Sequence, residues 1–149
     1  MSEIEDLFVK RAPHQEHRRL LFMALTLYME QVRGILPTGA AWIDGGFCSY
    51  KSSPPGDVDV AILADPALLA DPIVRSRLIP LRTHMDVHIM NPPLAISRLQ
   101  PMGGLIDGYV IPAGDAALEA VWDNNWSRVM DDAGNIVAGA IKGYLEVIW

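Results

Sequence analysis

The sequence predicts a small α/β (α+β) domain, one mixed β-sheet with helices packed against it. Three observations point there. Residues 14–34 (HQEHRRLLFMALTLYMEQVRG) repeat apolar side chains at helical spacing. Residues 58–64 (VDVAILA) and 85–90 (MDVHIM) are short β-branched or alternating runs, the pattern of strands. Only a loop separates 58–64 from the apolar run at 41–44. That is too little chain for a helical crossover, which argues against a purely parallel, doubly wound sheet. With 149 residues, half of them apolar, the chain is expected to form a single domain over 1–149. A domain of this size hides roughly 70% of its unfolded surface, so a real core is feasible.

The first helix rests on Leu20, Leu21, Ala24, Leu25, Leu27, Tyr28 and Val32, with Gly34 as its stop. AAWIDGGF then reads as a strand ending in a turn, and SYKSSPPG (49–56) is turn chemistry throughout. After the strand 58–64, Asp65-Pro66 opens a helical stretch that Asp71-Pro72 restarts, reaching about Leu81. Asn91-Pro92-Pro93 stops the strand 85–90. A short helix is expected near Leu94–Leu99, followed by a glycine-rich loop to 114. Residues 115–130 read as a helix carrying Trp122 and Trp126, 131–135 as a turn, and roughly 140–148 as a closing strand.

A net charge of −6 argues against indiscriminate nucleic-acid binding, which needs many cations facing phosphates. The lone Cys48 has no intramolecular partner and fits a reducing, cytoplasmic location. No run of about 18 apolar residues suggests a membrane span, so no membrane partner is expected. The acidic start MSEIEDLFVK is unlike a signal peptide.

The chemistry concentrates on acids. Asp57 and Asp59 lie two apart on a strand, so both carboxylates project from one face while Val58 and Val60 point the other way. Two adjacent anions repel, and a cation is the simplest way to hold them together. Oxygen ligands alone select a hard ion, Mg²⁺ or Mn²⁺. Asp86 sits on the second strand. If that strand neighbours 58–64, Asp57, Asp59 and Asp86 form one acidic site able to hold metal over a phosphoryl centre. Gly45-Gly46, after the strand, allows backbone N–H groups to approach phosphate oxygens. Lys51, in the loop between turn and acids, and Lys142, at the head of the closing strand, are cations within reach of a phosphate. Their ordinary alternatives are a solvated loop lysine and a strand-edge lysine.

These residues resemble the polymerase-β-like nucleotidyltransferase superfamily. Its signature is a hydrophobic strand, a glycine turn, about ten residues and then acid–hydrophobic–acid. Here it reads WIDGGFCSYKSSPPGDVDVAIL, with MDVHIM offered as the strand of the third acid. More closely, the stretch is similar to small stand-alone nucleotidyltransferase-like bacterial and phage proteins of unestablished function. Those carry Trp-x-Asp-Gly-Ser-Phe, a lysine, a proline and Asp-Ile-Asp-Val. The later tryptophans and Lys142-Gly143 also fit that group. The likeness spans roughly 15–149 and is sharp at 42–62 and 84–90. It implies a nucleotidyltransferase fold and metal-dependent transfer of a nucleoside monophosphate from a nucleoside triphosphate to an acceptor hydroxyl on RNA, protein or a small molecule. Carried over, the metal and catalytic roles fall on Asp57, Asp59 and Asp86, and phosphate binding on the Gly45-Gly46 turn. Where the superfamily has Ser after the first glycine, this chain has Gly46.

Each feature also has a plainer reading. Acid-x-acid at a strand mouth is common on solvated edges, and Asp44 reads first as a turn-stabilising aspartate. His88 reads as exposed rather than as a ligand, Trp122 and Trp126 as core packing, and Cys48 as packed. Lys10, Arg11, His14, His17, Arg18 and Arg19 read as a solvated first helical turn rather than an RNA contact. Two rivals to the enzyme follow. One is a catalytically degenerate module that binds nucleotide, a partner protein or a second copy of the chain as a homodimer. The other is an interaction protein whose acids merely bind a cation.

Overall fold

A computed structural model describes residues 1–131 and 133–149, and it is a small α+β fold. Residue 132, within the expected turn 131–135, lies outside the described residues. The chain opens with α1 (Ser2–Glu5) and a π-helical turn at Asp6–Lys10. The long helix α2 (Gln15–Arg33) and the strand β1 (Ala40–Asp44) follow. A 3-10 turn at Gly46–Cys48 leads by a loop to β2 (Val58–Ala64). Next come α3 (Pro66–Ala70) and α4 (Pro72–Leu78), then a 3-10 turn at Ile79–Leu81. A hairpin of β3 (His84–Met90) and β4 (Pro93–Leu99) is followed by a one-turn α5 (Pro101–Gly104) and by β5 (Ile106–Pro112). The chain closes with α6 (Ala116–Trp126), β6 (Arg128–Met130), β7 (Ile136–Ile141) and β8 (Leu145–Ile148).

Four strands form the main sheet in the order β5-β2-β1-β8. β1 is antiparallel to both β2 and β8, and β2 is parallel to β5. α2 covers one face. It buries Leu21, Leu25, Tyr28 and Val32, spaced three or four apart, against Ile43, Val58, Val60 and Ile62. Each such side chain contributes roughly 1.5–3 kcal/mol by leaving water. Leu20 and Leu27, part of the apolar pattern in the sequence, lie on the exposed side of the helix instead. The opposite face packs Trp42, Ala61, Leu63 and Ile111 against Leu118, Trp122 and Trp126 of α6. Asp65 and Asp71 cap α3 and α4 through Ala67 N–H and Ile73 N–H, each at 2.8 Å, with proline at the first helical position.

Four expectations from the sequence differ from the structure, one of them the helix 115–130, which ends at Trp126 with β6 after it. Residues 94–99, expected as helix, belong to β4, which pairs antiparallel with β3. The expected glycine-rich loop contains β5, hidden by Gly108 in an otherwise strand-like run. That glycine is required, since a Cβ there would lie 2.4 Å from the Leu81 carbonyl and 2.9 Å from the Tyr28 hydroxyl. The closing strand is two strands. β7 pairs with β6, and only β8 joins the main sheet. Among the described residues no helix is long and apolar enough to cross a membrane.

Candidate functional site

Strand register builds the site. Asp44 on β1 lies opposite Asp59 on β2, and Asp59 lies beside Asp107 on β5. Strand neighbours stand about 4.8 Å apart, so three carboxylates form a row across three strands. Asp57 lies just before β2, near enough for its charge to act on Asp59. The next row back is Trp42, Ala61 and Tyr109, where the acidic end of this face gives way to its apolar floor.

Asp86 does not join them. Its strand, β3, pairs only with β4, in a sheet separate from β2. Asp86 is exposed, and its left-handed backbone (φ 51) interrupts the β3–β4 ladder. His88 is exposed as well. The place beside β2 that the sequence reading gave to 85–90 belongs to β5, so the third acid of the cluster is Asp107. One signal could have found it. Ile-Asp-Gly-Tyr-Val-Ile is a strand once Gly108 is read as a close-approach glycine rather than a loop residue.

Like charges side by side destabilise a sheet unless they are compensated. Asp44, only 4% exposed, is paired with Lys142. Burial raises its pKa, and Lys142 opposes that shift. Asp44 is thus a paired acid of the cleft as well as a turn residue. Asp107, 2% exposed, accepts from Thr83 Oγ1 at 2.6 Å and Tyr109 OH at 2.6 Å, and is paired with Arg98. Asp57 accepts from Gln100 Nε2 at 2.7 Å. Asp59 has no ion pair among the described residues. Burial, then the charges of Asp57, Asp107 and Asp44 and a hydrogen bond with Asp107, push its carboxyl up to about 7.

The glycine turn touches the acids directly. Gly45 has φ 82, and a Cβ on it would lie 1.8 Å from Asp59 Oδ2, so the carboxylate rests over the glycine. Gly46 carries no such angle, and a Cβ there would meet Pro55 Cβ at 3.3 Å. Beside the turn opens a cleft of about 340 Å³. Asp44, Gly45, Gly46, Lys51, Asp59 and Lys142 line it together with Trp126, Arg128 and Met130. Lys51 also donates to the Asp131 carbonyl at 3.3 Å. The structure therefore gathers Gly45, Gly46, Lys51, Lys142 and Asp59 around one cleft, with Asp57 just before the strand that carries Asp59. Trp122 packs on Tyr109 (4.8 Å between ring centres) and Trp126 on Trp122 (5.3 Å), as core aromatics do. Trp126 additionally forms a cleft wall.

The basic cluster in the sequence divides: Lys10, Arg11, His14 and Arg19 are exposed, as expected of a solvated turn, while His17 is half-buried and Arg18 buried. Arg18, fully buried, donates to the carbonyls of Phe47 (2.7 Å), Ser49 (2.6 Å) and Phe8 (3.2 Å). His14 and His17 bond to the carbonyls of Ser52 (2.7 Å) and Pro55 (2.6 Å). The first turns of α2 thereby hold the whole loop between the glycine turn and Asp57. Lys10 and Arg11 form surface pairs with Glu5 and Asp6. Cys48 packs, its thiol pushed up in pKa by burial.

The matching family model spans residues 1–148. The chain belongs to DUF6932, a family of unknown function. No curated protein and no solved structure matches it. The site of this DUF6932 member is a row of carboxylates, most of them engaged by protein cations and donors. Among the described residues, no three His, Cys, Asp or Glu side chains stand as a ready-made ligand group. Arg98, Gln100 and Lys142 engage the oxygens that such a group would use.

Proposed function

We propose that this chain is a metal-dependent nucleotidyltransferase, transferring a nucleoside monophosphate from a nucleoside triphosphate to an acceptor hydroxyl. One observation carries the reading. Asp59 and Asp107 stand side by side in register, Asp57 lies just before the strand of Asp59, and Asp59 rests on the Gly45 turn of a cleft holding Lys51 and Lys142. The acid–hydrophobic–acid pattern and the acid on its own strand are what the superfamily resemblance implies, with Asp107 now in the third role. Asp57, Asp59 and Asp107 would hold Mg²⁺ or Mn²⁺, which supplies charge neutralisation at the phosphates when bound. Lys142, Lys51 and Arg128 add positive charge around the cleft, and Trp126 offers a flat apolar surface to a base. In the transfer, the acceptor oxygen bonds to the α-phosphorus as the bond to the β-phosphate oxygen breaks. Pyrophosphate leaves, and the hydroxyl proton passes to a carboxylate of the cluster. Most of the acceleration in such chemistry comes from positioning and electrostatics. A reducing, cytosolic setting is part of the proposal.

A second reading has its own support. Asp107 and Asp44 already carry protein cations, and Gly46 stands where the superfamily has Ser, which favours a module that binds nucleotide without turning it over. One experiment separates the two. The purified protein with Mn²⁺ is offered each α-labelled ribo- and deoxyribonucleoside triphosphate, together with total RNA and its own polypeptide as acceptors. Label transfer that is lost in Asp57→Asn/Asp59→Asn is the expected result. Nucleotide binding without transfer selects the binding module. Neither binding nor transfer defeats both.

A further inference from the structure

A second cavity, of about 380 Å³, opens at the β5 edge of the main sheet and shares no residue with the acid cleft. Leu69 of α3, Arg75 and Leu78 of α4, Ile79, Arg82 and Val110 of β5 line it. Leu69, Leu78 and Val110 belong to the core under α2, so the cavity lies on the sheet face away from Asp59 and Asp107. Its volume suits a small ligand or the end of a peptide. Leu69, Leu78, Ile79 and Val110 make its lining mainly aliphatic, which favours an apolar occupant.

Two independent features narrow the chemistry of that occupant. The first is charge. Arg75 and Arg82 are exposed, and neither has an ion pair among the described residues. The chain has 18 acids to 12 lysines and arginines, so two uncompensated arginines on one apolar cavity favour an anion from outside. A guanidinium matches a carboxylate in geometry as well as in charge. The second feature is the sheet edge. β5 ends the sheet. At Gly108 that edge is already taken: Thr83 N–H donates to the Gly108 carbonyl at 2.8 Å, and Thr83 Oγ1 accepts from Gly108 N–H at 3.1 Å. Val110, two residues on, turns its N–H and C=O to the same edge, and among the described residues no backbone pairs with them there. Pro112, two further, has no N–H to offer. The open edge is therefore one residue long, bounded by Thr83 and Pro112.

We propose that this cavity captures the carboxyl end of a partner peptide whose last residue is apolar. The terminal side chain enters among Leu69, Leu78 and Ile79, the carboxylate meets Arg75 and Arg82, and the peptide backbone pairs with Val110. Strand addition supplies the backbone bonds and the cavity supplies the selectivity. A one-residue edge suits a chain end, because a long strand would meet Thr83 on one side and the proline on the other. A fatty acid would satisfy the arginines and the aliphatic lining but leave the Val110 groups unused. The inference stands apart from the nucleotidyltransferase reading, since it uses neither the acids nor the cleft.

The probe is a library of tetrapeptides, random in the first three positions and ending in leucine, isoleucine, valine or phenylalanine. It is presented to the purified protein with free carboxyl ends and, in parallel, as C-terminal amides. Retained sequences are titrated by fluorescence anisotropy against the wild type, Arg75→Gln/Arg82→Gln and each single glutamine variant. The single variants cover the case in which the double one folds poorly. Free acids are expected to bind at least about tenfold more tightly than their amides, the span of one charge-assisted contact. The double variant should lose that preference, and bound peptide should slow hydrogen exchange at the Val110 amide. Equal binding of acids and amides, unchanged binding by the folded arginine variants, or retention of no peptide overturns the proposal. Sodium decanoate is the competing probe. Decanoate that binds and displaces peptide without slowing exchange at Val110 assigns the cavity to a small amphiphilic anion, which also overturns it.

Discussion

Replacing Asp59 by asparagine should stabilise the cation-free protein, against the usual expectation for an acid in a functional cluster. Asp59 is pushed up to about 7, by burial first and by Asp57, Asp107 and Asp44 after it. An unfolded aspartate titrates at about 3.9. Between these values the folded protein keeps a proton that the unfolded chain has released, so stability falls as pH rises through the window and stays low above it. Roughly three pH units at 1.36 kcal/mol each set an upper limit of about 4 kcal/mol. Solvent at the cleft mouth reduces this, and about 2–3 kcal/mol is expected. The asparagine side chain has the same shape and no charge to penalise. Urea unfolding in the presence of chelator should therefore show Asp59→Asn close to the wild type at pH 4–5 and more stable by that amount at pH 8. Added Mn²⁺ should then raise the wild type at pH 8 by mass action and leave the variant unmoved. A variant no more stable than the wild type at pH 8 would refute the electrostatic account of the site.

Two further outcomes concern the glycine turn, and a third its tether. Gly45→Ala should destabilise by roughly 1–3 kcal/mol from its backbone angle alone and also displace the Asp59 carboxylate, so thermal melting and Mn²⁺ affinity should both fall. Gly46→Ser sets its Cβ 3.3 Å from Pro55 Cβ, so Pro55 must give by a few tenths of an ångström; the variant should melt a few degrees below the wild type and bind nucleoside triphosphate more tightly in calorimetric titration. Arg18→Met should keep its packing volume but strand the carbonyls of Phe47 and Ser49, costing about 2–4 kcal/mol and increasing proteolysis in the loop 47–56.

Local signals carried much of this fold. The spacing of Leu21, Leu25, Tyr28 and Val32 marked α2, Asp-Pro pairs marked the two short helices, and VDVAILA marked β2 with its observed limits. The glycine turn and Asp57/Asp59 were legible for the same reason, since their geometry is set within one strand and one loop. What failed was adjacency. MDVHIM looks more like a central strand than IDGYVIP does, yet the latter lies beside β2 because Gly108 lets Leu81 and Tyr28 close against it. Asp86 and Asp107 are both aspartates on short strands, and only the pairing of strands distinguishes them. The role of Arg18 was equally hidden. A buried arginine that ties three carbonyls together reads in sequence as one member of a basic run.

The composition of the acid site is what most needs testing. Mn²⁺ binding, with and without nucleoside triphosphate, measured side by side on Asp107→Asn and Asp86→Asn, addresses it directly. The proposed function predicts that Asp107→Asn binds neither cation nor nucleotide, while Asp86→Asn, altered on an exposed strand, binds both as the wild type does. Retained binding in a folded Asp107→Asn protein, or loss of binding in Asp86→Asn, would contradict the account.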